Sequence, residues 1–279
     1  MSNAVPTELG LVVSLWRYPV KSMMGEELNA AEVTERGLLG DRAHALVDSS
    51  DGKVASAKNP RKWPNLFDFR ATFLEPPRAS PNLPPIRITL PDGTMATSQH
   101  NELNQILSTA LGRRVELRAA ERGHLGSANA EEYWPDVEGL DHRDTVTDFA
   151  LPEGTFFDCA TVHLLTTVTL DRLRELYPEG RFEVRRFRPN IVMVPASSEK
   201  TFIENSWVGH TLAIGDEVRL NVTGPCARCV MTTLPQADLP ADSGILRTAA
   251  RHNHANVGIY AAVSRGGTIR RGDSVRLVA

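Results

Sequence analysis

The chain has 279 residues, 41% of them hydrophobic, three cysteines and a formal net charge of -3, enough to bury roughly three quarters of the surface its unfolded form exposes. This composition describes an ordinary globular protein and excludes a disulfide framework, since two of the three cysteines share one turn; a reducing, cytoplasmic setting fits it. No stretch approaches the ~20 apolar residues of a membrane helix, and the apolar run Leu9–Trp16 is followed, not preceded, by Arg17 and Lys21, the wrong order for a secretory signal.

Charge is unevenly spread. Lys and Arg number 14 against 13 Asp and Glu in residues 1–120, 2 against 10 in 121–160, and 15 against 11 in 161–279. The dense basic stripe with interleaved aromatics that nucleic acid requires is missing, whereas a small anionic ligand needs only a few positioned cations.

In chain order, residues 1–120 read as short strands punctuated by turns, with one helix. Leu11–Trp16 and Ala43–Val47 are strand-like, and Asp51-Gly52 and Asp92-Gly93 are hairpin signals. Ile86, Ile88 and Leu90 alternate with Arg87 and Thr89, the period of a half-buried strand. Leu103, Ile106, Leu107, Ala110 and Leu111 share a helical face, and Gly112 suits the left-handed position that ends it. Residues 121–150, rich in Asp, Glu and Gly and poor in periodicity, read as a linker or surface loop. They separate this unit from a second one, 151–279.

In the second unit a strand, Val162–Leu165, leads through Thr166 and Thr167 into a helix faced by Leu170, Leu173, Leu176 and Tyr177 and stopped by Pro178. Ile191–Val194 reads as a buried strand. One pattern occurs twice, in Thr211–Leu220 and Thr268–Leu277: Thr, three residues, Gly-Asp, any residue, Val-Arg-Leu. It predicts two equivalent turn-and-strand corners of one β-barrel, with Gly215 and Gly272 at positive φ. The expected fold class is mixed and predominantly β: a barrel with flanking helices beside a smaller β-rich N-terminal domain.

The chemistry concentrates in Gly224-Pro225-Cys226-Ala227-Arg228-Cys229. A redox dithiol needs its nucleophilic thiol at a helix N-terminus, and both Pro225 and the helix-resisting Val230-Met231-Thr232-Thr233 argue against one. Structural zinc needs two more ligands; His252 and His254 offer them, yet His-Asn-His is more often a polar helix end. Three cysteines are too few for a four-cysteine iron–sulfur cluster. Two cysteines can also pack as small apolar residues, although Arg228 between them suits a ligand better than a core. There remains one thiolate on a soft or high-valent metal that brings its other ligands with it. Tyr18-Pro19-Val20-Lys21-Ser22, Gly40-Asp41-Arg42 and Phe187-Arg188-Pro189-Asn190 offer turn-held cations for such a cofactor, each of which alone reads as solvated surface.

In this order, these segments resemble the MOSC family, a molybdenum-cofactor-binding domain found at the C-terminus of molybdenum cofactor sulfurases, together with its N-terminal β-barrel companion. Within it, the chain is similar to the mitochondrial amidoxime reducing components and their bacterial counterparts. The resemblance runs from Leu11 to about Arg118 and from about Phe157 to Val278. It implies that Cys229 is the catalytic molybdenum ligand, and that Lys21, Ser22, Arg42, Arg188 and Arg228 hold the pyranopterin and its phosphate by charge-assisted hydrogen bonds. Asp158, Cys159 and Ala160 fall where animal relatives carry Asp-Thr-Ser, which adds Asp158 to the cofactor-binding set. Asn190 and the Thr166-Thr167 pair are further candidates, with capping as the ordinary alternative.

The implied activity is molybdenum-dependent reduction of N-hydroxylated compounds (amidoximes, hydroxylamines, N-hydroxylated bases) to the parent amines and water, using two electrons and two protons. With no cysteines left for a cluster, the electrons would come from a separate partner protein. The acidic stretch 121–160 is one docking surface for it and a solvated linker the plainer reading. Pyridoxal phosphate binding is a further description attached to the family. From another class stands a carrier that holds the molybdenum cofactor, or passes sulfur through Cys226 or Cys229, without turnover.

Overall fold

A computed structural model describes residues 7–80, 82–120, 128–140 and 144–278. Seven strands close into a barrel: β1 (Thr7–Arg17), β2 (Val162–Thr166), β3 (Ile191–Pro195), β4 (Thr211–Ile214), β5 (Val218–Ala227), β6 (Asn256–Arg265) and β7 (Ser274–Val278). They run β3-β2-β6-β5-β4-β7-β1, and β1 returns to pair with β3. Only β2 and β3 are parallel, and the connection between them carries two helices, as a parallel pair requires. Closure leaves the barrel strands no open edge. Leu15, Leu164, Ile191, Leu212, Leu220, Ile259 and Val275 fill one shared core.

Both copies of the repeated motif turn at a positive-φ glycine, Gly215 at 55° and Gly272 at 90°, as expected. Only the first is a hairpin, β4 to β5. The second leaves Gly267–Arg270, which pairs with Ala30–Thr34 in a side sheet, and enters β7.

In the N-terminal half, His44–Asp48 pairs with Val115–Ala119, and Arg70–Phe73, Ile86–Thr89 and Met95–Thr97 form a meander. Helix α1 (Leu103–Leu111) ends at Gly112 with φ 65°, as the sequence predicts. Phe67, Phe69, Ile86, Ile88 and Leu107 make its core, and Met231 from the far half of the chain packs into the same cluster. Helices α2 (Thr167–Leu176), α3 (Val184–Phe187) and α4 (Gly244–Asn253) complete the fold, with Leu170, Leu173, Phe187 and Ile245 in a third cluster. No helix among the described residues is long and apolar enough to cross a membrane.

Two features depart from the sequence reading. The first strand, expected in the N-terminal unit, is a stave of the barrel, paired with β3 and β7. The stretch read as a linker contains a hairpin, Asn129–Trp134 against Thr145–Ala150. Its period of two is masked because an inward position is taken by Glu132 instead of an apolar residue, while the outward Glu131 is paired with Lys53 at 2.8 Å.

Candidate functional site

The eight residues singled out from the sequence, Lys21, Ser22, Arg42, Asp158, Arg188, Asn190, Arg228 and Cys229, all line one cavity of about 240 Å³. Lys21 and Ser22 follow β1, Arg42 ends a tight turn, Asp158 precedes β2, Arg188 and Asn190 precede β3, and Arg228 and Cys229 follow β5. Ser22, Arg42 and Arg188 have φ of 64°, 47° and 53°. Such angles are uncommon for residues with a side chain and cost on the order of 1 kcal/mol or more each, so the surroundings must enforce them. The Arg42 N–H donates to Tyr18 O at 2.8 Å, the Arg188 N–H to Val184 O at 3.2 Å, and Ser22 Oγ accepts from Ala57 N–H at 3.0 Å.

Lys21 Nζ donates to Phe156 O at 2.9 Å and to the Asp158 carboxylate. Burial alone would raise the Asp158 carboxyl, but Lys21 and Lys58 outweigh it and hold it well below the usual carboxylate range. Lys58 Nζ donates to Glu132 Oε2 at 3.0 Å and stands 3.4 Å from Asp158 Oδ2. Asp41 accepts from Arg42, from Tyr18 N–H at 2.8 Å and from Asn190 Nδ2 at 2.9 Å. Asn190 Oδ1 in turn accepts from His163 N–H at 3.1 Å. Its amide is thus committed to the wall, and Asn190 positions the site more than it faces a ligand.

Five cations, Lys21, Arg42, Lys58, Arg188 and Arg228, meet three carboxylates, Asp41, Glu132 and Asp158, which leaves positive charge in surplus. Arg188 is 5% exposed and lies over the Tyr18 ring at 4.1 Å. Its Nη1 and the Nε of Arg228 are buried without a hydrogen-bond partner among the described residues. Burial brings the Arg188 pKa down to about 10. Buried donors of this kind are costly unless an anion completes them.

The two neighbouring thiols differ sharply. Arg228 Nη1 donates to Cys226 Sγ at 2.7 Å and Nη2 to Phe187 O at 2.9 Å. Burial pushes the Cys226 thiol up, but Arg228 and His163 outweigh it and draw it below the ordinary thiol range. Part of the Arg228 charge, expected to face a cofactor, is therefore met inside the wall, and its Nε remains for a ligand. Burial pushes the Cys229 thiol up to about 12 against the pull of Lys58, so a bound metal ion would have to stabilise its thiolate. Among the described residues no group of three or more His, Cys, Asp or Glu could hold a metal, and His252 and His254 are exposed. A metal at Cys229 must bring its other ligands. Unused buried guanidinium donors, surplus positive charge and one wall thiol fit an anionic cofactor carrying a soft-ligated metal.

Among the lining residues that escaped sequence reasoning are Lys58, Glu132, Trp134, His163 and Tyr260. His163 offered one signal, a lone polar residue in the apolar run Val162–Leu165. Its ring fits because Gly258, at φ 82°, lacks a Cβ that would fall 2.4 Å from Nε2. Thr166 is not part of the cavity lining; its hydroxyl caps α2, accepting from Thr169 N–H at 3.3 Å.

Residues 152–276 match the MOSC domain family and residues 9–122 the MOSC N-terminal beta barrel domain family. The mitochondrial amidoxime-reducing component 1 of Mus musculus is 26% identical over 97% of this chain and 83% of its own length. The Homo sapiens protein of the same name is 25% identical over 97% and 84%. The crystal structure of the YUAD protein from Bacillus subtilis covers 98% of each chain at 10% identity, with a TM-score of 0.48.

Proposed function

Because the chain consists of a MOSC N-terminal β-barrel domain followed by a MOSC domain, a family tied to the molybdenum cofactor, we propose that it is a molybdenum-dependent reductase of N-hydroxylated compounds. Amidoximes, hydroxylamines and N-hydroxylated bases are its substrate class, the amine and water its products, and a separate protein its electron donor. The observation that carries this reading is the pair of buried, unused guanidinium donors, Arg188 Nη1 and Arg228 Nε, in one cavity with Cys229.

When bound, the cofactor would supply the two-electron chemistry of N–O cleavage. Cys229 would give the metal a protein thiolate. Arg188, Arg228 and Arg42 would meet the phosphate and pterin with charge-assisted hydrogen bonds, with Lys21 and Ser22 completing the cradle. Asp158 fixes Lys21 Nζ, and Asn190 ties the β3 segment to Asp41. The two cavity lysines are both ion-paired, so pyridoxal phosphate is not part of this reading. We further assign 1–120 and 151–279 as the two functional units, joined by 121–150 as linker, and a cytoplasmic location in keeping with the free cysteines.

The test is production in a cofactor-competent host, followed by molybdenum analysis and reduction of benzamidoxime with a chemical electron donor. Stoichiometric molybdenum with turnover is expected. Stoichiometric molybdenum without turnover on any N-hydroxylated compound would make the protein a carrier, and absence of molybdenum would overturn both readings.

A further inference from the structure

The hairpin strand Asn129–Trp134 is bound to the segment before it in space by main-chain hydrogen bonds. Val54 N–H donates to Asn129 O and Tyr133 N–H to Lys58 O, each at 2.8 Å. Strand alternation then sends Ala130, Glu132 and Trp134 to one face and Glu131 and Tyr133 to the other. This register sets Glu132 beside Lys58, with Nζ to Oε2 at 3.0 Å.

Both side chains line the cavity and are nearly buried, at 9% and 13% exposure. They share this cavity with Cys229. Lys58 is held further by the Phe149 ring at 4.6 Å and by Asp158. Glu132 Oε1 accepts no hydrogen bond from the described residues. A nearly buried carboxylate with one satisfied and one open oxygen is poised to accept from a ligand N–H.

We infer that Glu132 and Lys58 read the substrate, selecting N-hydroxylated compounds that carry an N–H group beside the N–OH; this rests on the reductase reading above. Lys58 donates to the hydroxyl oxygen, and Glu132 Oε1 accepts from the amino group. An amidoxime bears both on one carbon, and its amidine product is a cation whose N–H groups meet the carboxylate more strongly still. A tertiary N-oxide gives Glu132 nothing to accept and leaves its open oxygen desolvated.

The experiment compares the wild-type protein with Glu132→Gln and Glu132→Asp. Benzamidine binding is measured by calorimetry, and benzamidoxime is set against pyridine N-oxide as substrate or competing ligand. Loss of the charged acceptor in Glu132→Gln should weaken benzamidine binding and lower kcat/KM for benzamidoxime roughly ten- to a hundred-fold, with pyridine N-oxide changed less than about twofold. Glu132→Asp, which keeps the charge, should restore part of the loss and decides the matter if the glutamine variant fails to fold. Unchanged benzamidine binding, or equal loss for both ligand classes, overturns the inference. If the protein takes up no molybdenum, the kinetic comparison falls with the reductase reading, while the calorimetric one still decides the role of Glu132.

Discussion

Arg228 donates to the sulfur of Cys226 at 2.7 Å, and this one bond breaks the symmetry of two thiols that look equivalent in the sequence. Cys226 Sγ is the internal acceptor that fixes the guanidinium, and Cys229 is left as the thiol in the cavity wall. The expected consequence is that Cys229→Ser loses the metal altogether, while Cys226→Ser keeps most of it, read by molybdenum analysis of the purified variants. Cys226→Ala should lower stability by about 3 kcal/mol in urea unfolding, because it leaves a buried guanidinium with only the Phe187 carbonyl as acceptor. Equal metal loss from both serine variants would contradict the asymmetry.

Arg188 makes the opposite prediction. Its buried guanidinium has an unused nitrogen and no carboxylate hydrogen-bonded to it among the described residues, so the cofactor-free protein gains little from the charge. Arg188→Met should leave urea stability of the cofactor-free protein unchanged or raise it by about 1 kcal/mol. Cofactor content should nevertheless fall more than about tenfold, the loss of a charged hydrogen bond. A large destabilisation with normal metal content would make Arg188 a structural residue.

Asp41 is the hub beneath the cavity, accepting from Arg42, Tyr18 N–H and Asn190 Nδ2. Asp41→Ala removes the acceptor of three donors, one of them charged, and should cost about 3 to 5 kcal/mol. Asn190→Ala removes one hydrogen bond to the Asp41 carboxylate and others to backbone groups but leaves Arg42 paired, and should cost about 1 to 3 kcal/mol. Denaturant titration of the two variants side by side checks the order.

Glu204 offers a pH test remote from the cavity. It is 1% exposed, accepts from Thr166 Oγ1 at 2.8 Å and Thr169 Oγ1 at 2.6 Å, and has an unmatched Oε1. Burial raises its carboxyl pKa in the folded state. The folded protein therefore keeps a proton that the unfolded chain has released, and stability is lost as pH rises from about 4.3 through the raised pKa. Glu204→Gln should match the wild type near pH 4 and exceed it at pH 8. Parallel stability curves across that range would refute the assignment.

Much of the site was legible because its cations sit in turns whose sequence is distinctive. Lys21 after Pro19, Arg42 after Gly40-Asp41 and Arg188 before Pro189 all proved to be cavity residues, and the Ile86–Leu90 strand, α1 and the twin Gly215 and Gly272 corners follow local periodicity and backbone chemistry. Lys58, Glu132 and Trp134 were not legible, since nothing local says that a strand from an acid-rich stretch hydrogen-bonds to Val54 and Lys58. The place of β1 was hidden for the same reason: a strand's alternation names its faces and not its neighbours.

That place of β1 bears on how the chain folds. Thr7 lies opposite Leu277 and Gly10 opposite Pro195, so the earliest strand of the barrel waits for the latest before the ring can shut. The seam has very high sequence separation, so its closure is expected to be slow, and synthesis from the N-terminus cannot complete it piecemeal. A C-terminal fragment beginning after the hairpin would lack one stave and present β3 and β7 as naked edges. Supplying residues 7–17 as a separate peptide should fill that gap, and its capture by the fragment, read by a binding titration, would make the boundary between the two halves one of sequence and not of independent folding.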